Sequence, residues 1–83
     1  MAMADDVREY AFENYVKLAR SRGEPSVKIR AGDIHTALKY RNRLPLVCAA
    51  LGAMKFREAH GLTLQSIDGP GQSSTTTFTF GLK

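Results

Sequence analysis

The chain is poor in the residues that build covalent or metal-centred chemistry. Its single cysteine, Cys48, cannot close an internal disulfide or supply a cysteine-based zinc site, so a reducing interior is the natural setting. Its longest uninterrupted apolar run is Leu44 to Leu51, far short of the roughly 20 residues a membrane span needs. The start, Met1-Ala2-Met3-Ala4-Asp5-Asp6, is acidic and lacks the apolar segment of a secretory leader, so a cytoplasmic location is expected. His35 and His60 stand far apart, with no cysteine or carboxylate at ligand spacing, and no metal site is expected. Asp33 and His35 are two residues apart, and on a helix such side chains diverge. Ser73 and Ser74 do not sit in a nucleophile elbow, and Gly69-Pro70-Gly71 matches no phosphate loop. The expectation is therefore neither an enzyme nor a cofactor protein.

What is present is an ordinary globular balance. Of 83 residues, 43% are hydrophobic and 24% charged, which argues against disorder and allows a single domain over residues 1–83. A chain this short buries only about 60–65% of its unfolded surface, so the core is small. The net charge is +4, and its placement is uneven. Residues 1–25 sum to −1, residues 26–60 to +5 and residues 61–83 to zero. The middle excess comes from Lys28, Arg30, Lys39, Arg41, Arg43, Lys55 and Arg57 against Asp33 and Glu58. Clustered charge raises a local potential more than scattered charge does. A solvated basic face without a partner is the plain alternative.

Periodicity predicts a first helix over Ala4–Arg22, with Val7, Ala11, Tyr15 and Leu18 inward and Phe12, Val16 and Ala19 widening the stripe. Gly23 serves as its cap and Pro25 stops it. Ser26-Val27-Lys28-Ile29-Arg30 alternates as a short strand. A second helix spans Ala31–Tyr40, with Ile34, Ala37 and Leu38 inward. After a polar connection, Asn42 is placed as the N-cap of a third helix running to His60, with Pro45 in its first turn and Val47, Leu51 and Met54 inward. Gly61 ends it. Leu62–Ile67 and Thr75–Phe80 alternate as a hairpin around a turn-rich loop, residues 68–74. Leu62 and Leu64 are placed on the face of Phe78 and Phe80.

The order of elements, together with Ile34, Ala37, Leu38, Tyr40 and Val47-Cys48-Ala49-Ala50-Leu51, resembles the winged-helix superfamily of DNA-binding domains, as found in small archaeal and bacterial regulators. The resemblance covers Ala4 to Phe80. It implies an α+β winged helix-turn-helix, with three helices and a small antiparallel sheet in the order H1-S1-H2-H3-S2-S3. The third helix would be the recognition helix, and residues 68–74 the wing. A helix of about 10 Å diameter fits the major groove of DNA.

On that reading the partner is double-stranded DNA and the role regulation of transcription. Lys28, Arg30, Lys39 and Arg41 anchor phosphates, and Arg43 reads base edges through its forked guanidinium. Asn42 is a cap before it is a base reader. Gln72, Ser73 and Ser74 in the wing suit phosphate or minor-groove contact, although the wing lacks lysine and arginine. The outward positions Leu46 and Ala49 favour a rival reading, a protein-interaction module docking through Leu44, Leu46 and Ala49. The broad stripe of the first helix leaves room for a homodimer.

Overall fold

The computed structural model describes residues 3–69 and 73–82. A helical rod opens the chain, made of α1 (Met3–Ala11), a π-helical segment (Phe12–Val16) and α2 (Lys17–Ser21). Then follow β1 (Ser26–Arg30), α3 (Ala31–Ala37), α4 (Leu44–Gly52), α5 (Met54–His60), β2 (Thr63–Asp68) and β3 (Thr77–Gly81). The architecture is α+β, with helices covering one face of a three-stranded antiparallel sheet of order β1-β3-β2.

The rod departs from the regular helix expected over Ala4–Arg22. A π turn takes in an extra residue, so the buried face steps Val7, Ala11, Val16, Ala19, five residues apart in the middle. That step rotates Leu18 outward, leaving it 47% exposed where an inward position was expected. The rod packs on α4 through α1 and on β1 through the π segment. The apolar stripe that left room for a subunit is therefore largely covered by the chain itself.

The second helix ends at Ala37, three residues short of the expected Tyr40, because Leu38 leaves helical geometry and Lys39 takes a φ of 59°. Ala37, expected inward, is exposed. The third helix is two helices. Ala53 sits at φ −71°, ψ 139°, an extended conformation that ends α4 and caps α5. Arg57 donates to the Gly52 carbonyl at 3.0 Å across this break, supplying a partner to a helix-end oxygen. The break turns Met54 outward, 62% exposed against expectation, and sends Phe56 into the core.

In the sheet, Val27 and Ile29 of β1 pair with Phe80 and Phe78 of β3, which pair with Leu64 and Ile67 of β2. Paired residues share a face, so Val27, Ile29, Leu64, Phe78 and Phe80 form the layer under the helices, while Ile67, toward the end of β2, stays 53% exposed. Phe56 meets Phe80 edge-on at 5.4 Å. A bulge between Leu64 and Ser66 inserts Gln65 and keeps Leu64 and Ile67 on one face despite their three-residue spacing. Leu62 is buried just ahead of the strand, and Thr75 lies outside β3. Cys48 is a buried free thiol whose pKa burial pushes up. No described helix is long and apolar enough to cross a membrane.

The far end of α5 is closed by charge. Arg20 donates to the carbonyls of His60 and Gly61, where a cation is favoured by the helix dipole. Gly61 adopts φ 64° there, a conformation glycine reaches without steric cost. The His60 ring stacks on Phe12 at 4.1 Å and meets Phe56 edge-on. Burial first, and the Arg20 charge second, lower its pKa below the ordinary 6.5. The folded state thus favours neutral His60, a contribution present above 6.5 and lost as pH falls from there toward the depressed value. Thermal melts at about pH 7.5 and about pH 5 should show a larger acid-induced loss for the native chain than for His60→Gln; equal losses would remove this account.

Candidate nucleic-acid interface

The sequence-predicted residues fall into two groups at the two ends of α3. A seven-residue helix is about 10 Å long at 1.5 Å per residue, and that length separates the groups.

The first group is the α3–α4 turn. Lys39, Arg41, Asn42 and Arg43 are all exposed. Lys39 and Asn42 both have positive φ, 59° and 53°, a region asparagine tolerates better than most residues. Asn42 is consequently a turn residue and not the cap. Arg43 occupies the N-cap position, without a side-chain capping bond of its own. The missing acceptor comes from elsewhere: the Arg43 backbone N–H donates to His35 Nε2 at 3.1 Å. Accepting there requires Nε2 to be unprotonated, so a neutral His35 latches the start of α4. The same ring meets Tyr40 edge-on at 6.2 Å. His35 drew attention in the sequence only as a metal ligand or as an acid–base partner of Asp33, both set aside, and no local signature marks a histidine that accepts from the start of the next helix.

The second group surrounds the base of the hairpin. Lys28 lies opposite Thr79 and Arg30 opposite Thr77, which puts both cations on the outer face of the sheet. The Arg30 guanidinium stands 3.3 Å from Asp33 in the first turn of α3, so part of its charge is answered within the chain. The carbonyl of Thr76 accepts from Ala31 N–H at 2.9 Å, and that of Ser74 from Gly32 N–H at 3.0 Å. Two orphan donors of the α3 N-terminus are thereby satisfied by the hairpin. Ser74 is exposed. The Ser73 hydroxyl is within 3.0 Å of Thr75 Oγ1 and its N–H donates to Thr76 Oγ1 at 3.1 Å; its role is to brace the turn. Gln72, also a candidate, lies outside the described residues.

The remaining cations of the middle segment go elsewhere. Arg57 is committed to Gly52, and Lys55 lines a groove of about 420 Å³ with Asp5, Arg8 and Glu9 of α1. Asp5 accepts from Arg8 at 2.7 Å, which lowers its pKa. Among the described residues, Lys28, Lys39, Arg41 and Arg43 carry no salt bridge. Helix α4 itself, LPLVCAALG, presents no polar side chain. Leu44 and Leu46 are half-buried, while Pro45 and Ala49 are exposed. No group of three or more histidine, cysteine, aspartate or glutamate side chains able to hold a metal occurs among the described residues.

No family model, curated protein or solved structure matches the chain.

Two substitutions probe how the two groups are held. A Cβ at Gly32 would lie 2.4 Å from the Ser74 carbonyl oxygen and 2.9 Å from Ser74 Cβ. Gly32→Ala must push the hairpin off α3, and a cost of about 1–3 kcal/mol is expected; unchanged urea midpoints would contradict the junction. His35→Ala removes the acceptor of the Arg43 amide, a loss of about 1 kcal/mol. Amide hydrogen exchange should accelerate at Arg43 well before it does in the sheet, and a unchanged rate there would rule out the latch.

Proposed function

We propose that the chain is a small winged-helix module that binds double-stranded DNA, chiefly through phosphates, as part of a regulator of transcription. The observation that carries this reading is the set of exposed cations that form no salt bridge among the described residues, Lys28, Lys39, Arg41 and Arg43, distributed at both ends of α3. Support also comes from the sheet order β1-β3-β2, joined to two consecutive helices with a basic turn between them. In this reading α3 braces the assembly, the start of α4 approaches the major groove, and the hairpin contacts the neighbouring backbone. Lys28, Lys39 and Arg41 neutralise phosphates. Arg43, at the mouth of α4, is the one residue there with a fork suited to guanine edges. Because α4 offers no hydrogen-bonding side chain, affinity is mainly electrostatic and sequence preference weak.

Four neutralised phosphates correspond to a slope of log affinity against log salt of about −3.6. A fluorescence titration with a labelled random duplex should give that slope, and Lys39→Ala or Arg41→Ala should each reduce its magnitude by about 0.9 without changing sequence preference. A slope near zero ends the proposal.

The apolar composition of α4 supports a second reading, a protein-interaction module that docks through Leu44, Leu46 and Ala49. In that case duplex DNA binds negligibly, and Leu46→Lys abolishes partner binding while Arg41→Ala leaves it intact.

A further inference from the structure

Beside the basic turn runs a surface of opposite sign. A groove of about 440 Å³ separates the rod from the α3–α4 turn, lined by Asp6, Glu9, Tyr10 and Glu13 on one side and by Leu38 and Tyr40 on the other. Asp6 and Glu9 have no salt bridge among the described residues, and Glu13 meets only Lys17, at 3.5 Å with both side chains at least half exposed. Carboxylates at three- and four-residue steps on one helix repel each other. The Asp6 charge also helps raise the Tyr40 pKa, after burial. The turn that forms the opposite rim carries Lys39 and Arg41 on either side of Tyr40. No salt bridge joins the two rims among the described residues.

The chain thus holds an acidic rim and a basic rim side by side, the acidic one answered among the described residues only by the exposed Glu13–Lys17 pair and the basic one by no salt bridge. A two-fold contact requires a patch complementary to itself, and a patch half acidic and half basic meets that requirement when the axis passes between the halves. We propose that the occupant of this groove is the α3–α4 turn of a second copy, in a two-fold dimer where Lys39 and Arg41 of each copy enter the acidic rim of the other. Tyr10 and Tyr40 offer ring faces to the incoming cations, and Leu38 an apolar floor. The groove between α1 and α5 is not equivalent, because Arg8 and Lys55 already stand among its carboxylates. The dimer does not depend on the nucleic-acid reading. It does employ Lys39 and Arg41, which that reading assigns to phosphates, so dimer and duplex compete for the same cations.

The test is sedimentation equilibrium without nucleic acid, so its outcome is separate from that of the DNA titration. The native chain should dimerise at about 50 mM salt, with a dissociation constant at least about tenfold higher at about 500 mM. Glu9→Lys with Glu13→Lys gives one charge-reversed variant, and Lys39→Glu with Arg41→Glu the other. All four positions are exposed, and far-UV circular dichroism verifies that both variants fold. Each variant alone should be monomeric, and an equimolar mixture should recover a heterodimer, since each acidic rim then faces a basic one. A native chain that stays monomeric at low salt overturns the proposal. So does a dimer that survives high salt or persists in either variant, and so does a mixture of folded variants that fails to associate.

Discussion

The structure depends on a junction of two backbone hydrogen bonds where α3 begins. Ala31 and Gly32 donate to the carbonyls of Thr76 and Ser74, so the first turn of the helix is capped by the far end of the hairpin and not by a side chain. Close approach of two backbones is possible because position 32 has no Cβ. The junction fixes the hairpin to the helix pair, and β1, continuous with α3, pairs with β3 along its whole length. Sheet and helices therefore form one body, and the outer-face cations Lys28 and Arg30 are held at a set distance from the basic turn.

Two irregularities decide which side chains face the core. The π segment advances the buried face of the rod by one residue and brings Phe12 over His60. The extended Ala53 divides what would otherwise be one long helix and exchanges Met54 for Phe56 at the core. The break and the end of α5 are closed by charge. Arg57 covers the carbonyl freed at the break, and Arg20 covers the end of α5. Arginines that look like surface charge in the sequence are in these places partners for helix-end oxygens.

Charge is segregated by element. The rod carries Asp5, Asp6, Glu9 and Glu13, and the turn, together with Lys28 on the outer face of the sheet, carries cations that form no salt bridge among the described residues. The same turn stands at the edge of an acidic groove and at the mouth of α4, so the two proposed partners, a polyanion and an acidic protein surface, would draw on its lysine and arginines by the same physical means. Neither requires α4 to read bases, consistent with a helix made entirely of apolar residues.

Strand positions, the cap glycines Gly23 and Gly61, Pro45 in the first turn of α4 and the concentration of cations in the middle of the chain were legible because each rests on local rules: alternation, positive φ, a missing amide proton, a simple count. The extents of the helices were not. Nothing between Tyr10 and Leu18 announces a π turn, and Gly52 lowers helix propensity without saying that the chain will break one residue later. Asn42 satisfied the residue preference for a cap while His35, eight residues from the amide it accepts from, provided the acceptor. The sequence by itself determined the α+β class, with helices and a small antiparallel sheet, and the sign of each segment's charge, since these follow from residue type and spacing along the chain. Only the tertiary structure decided which cations lack a salt bridge among the described residues, which helices break and where an acidic rim meets a basic one, because those outcomes depend on partners distant along the chain, as when Thr76 meets Ala31, 45 residues away.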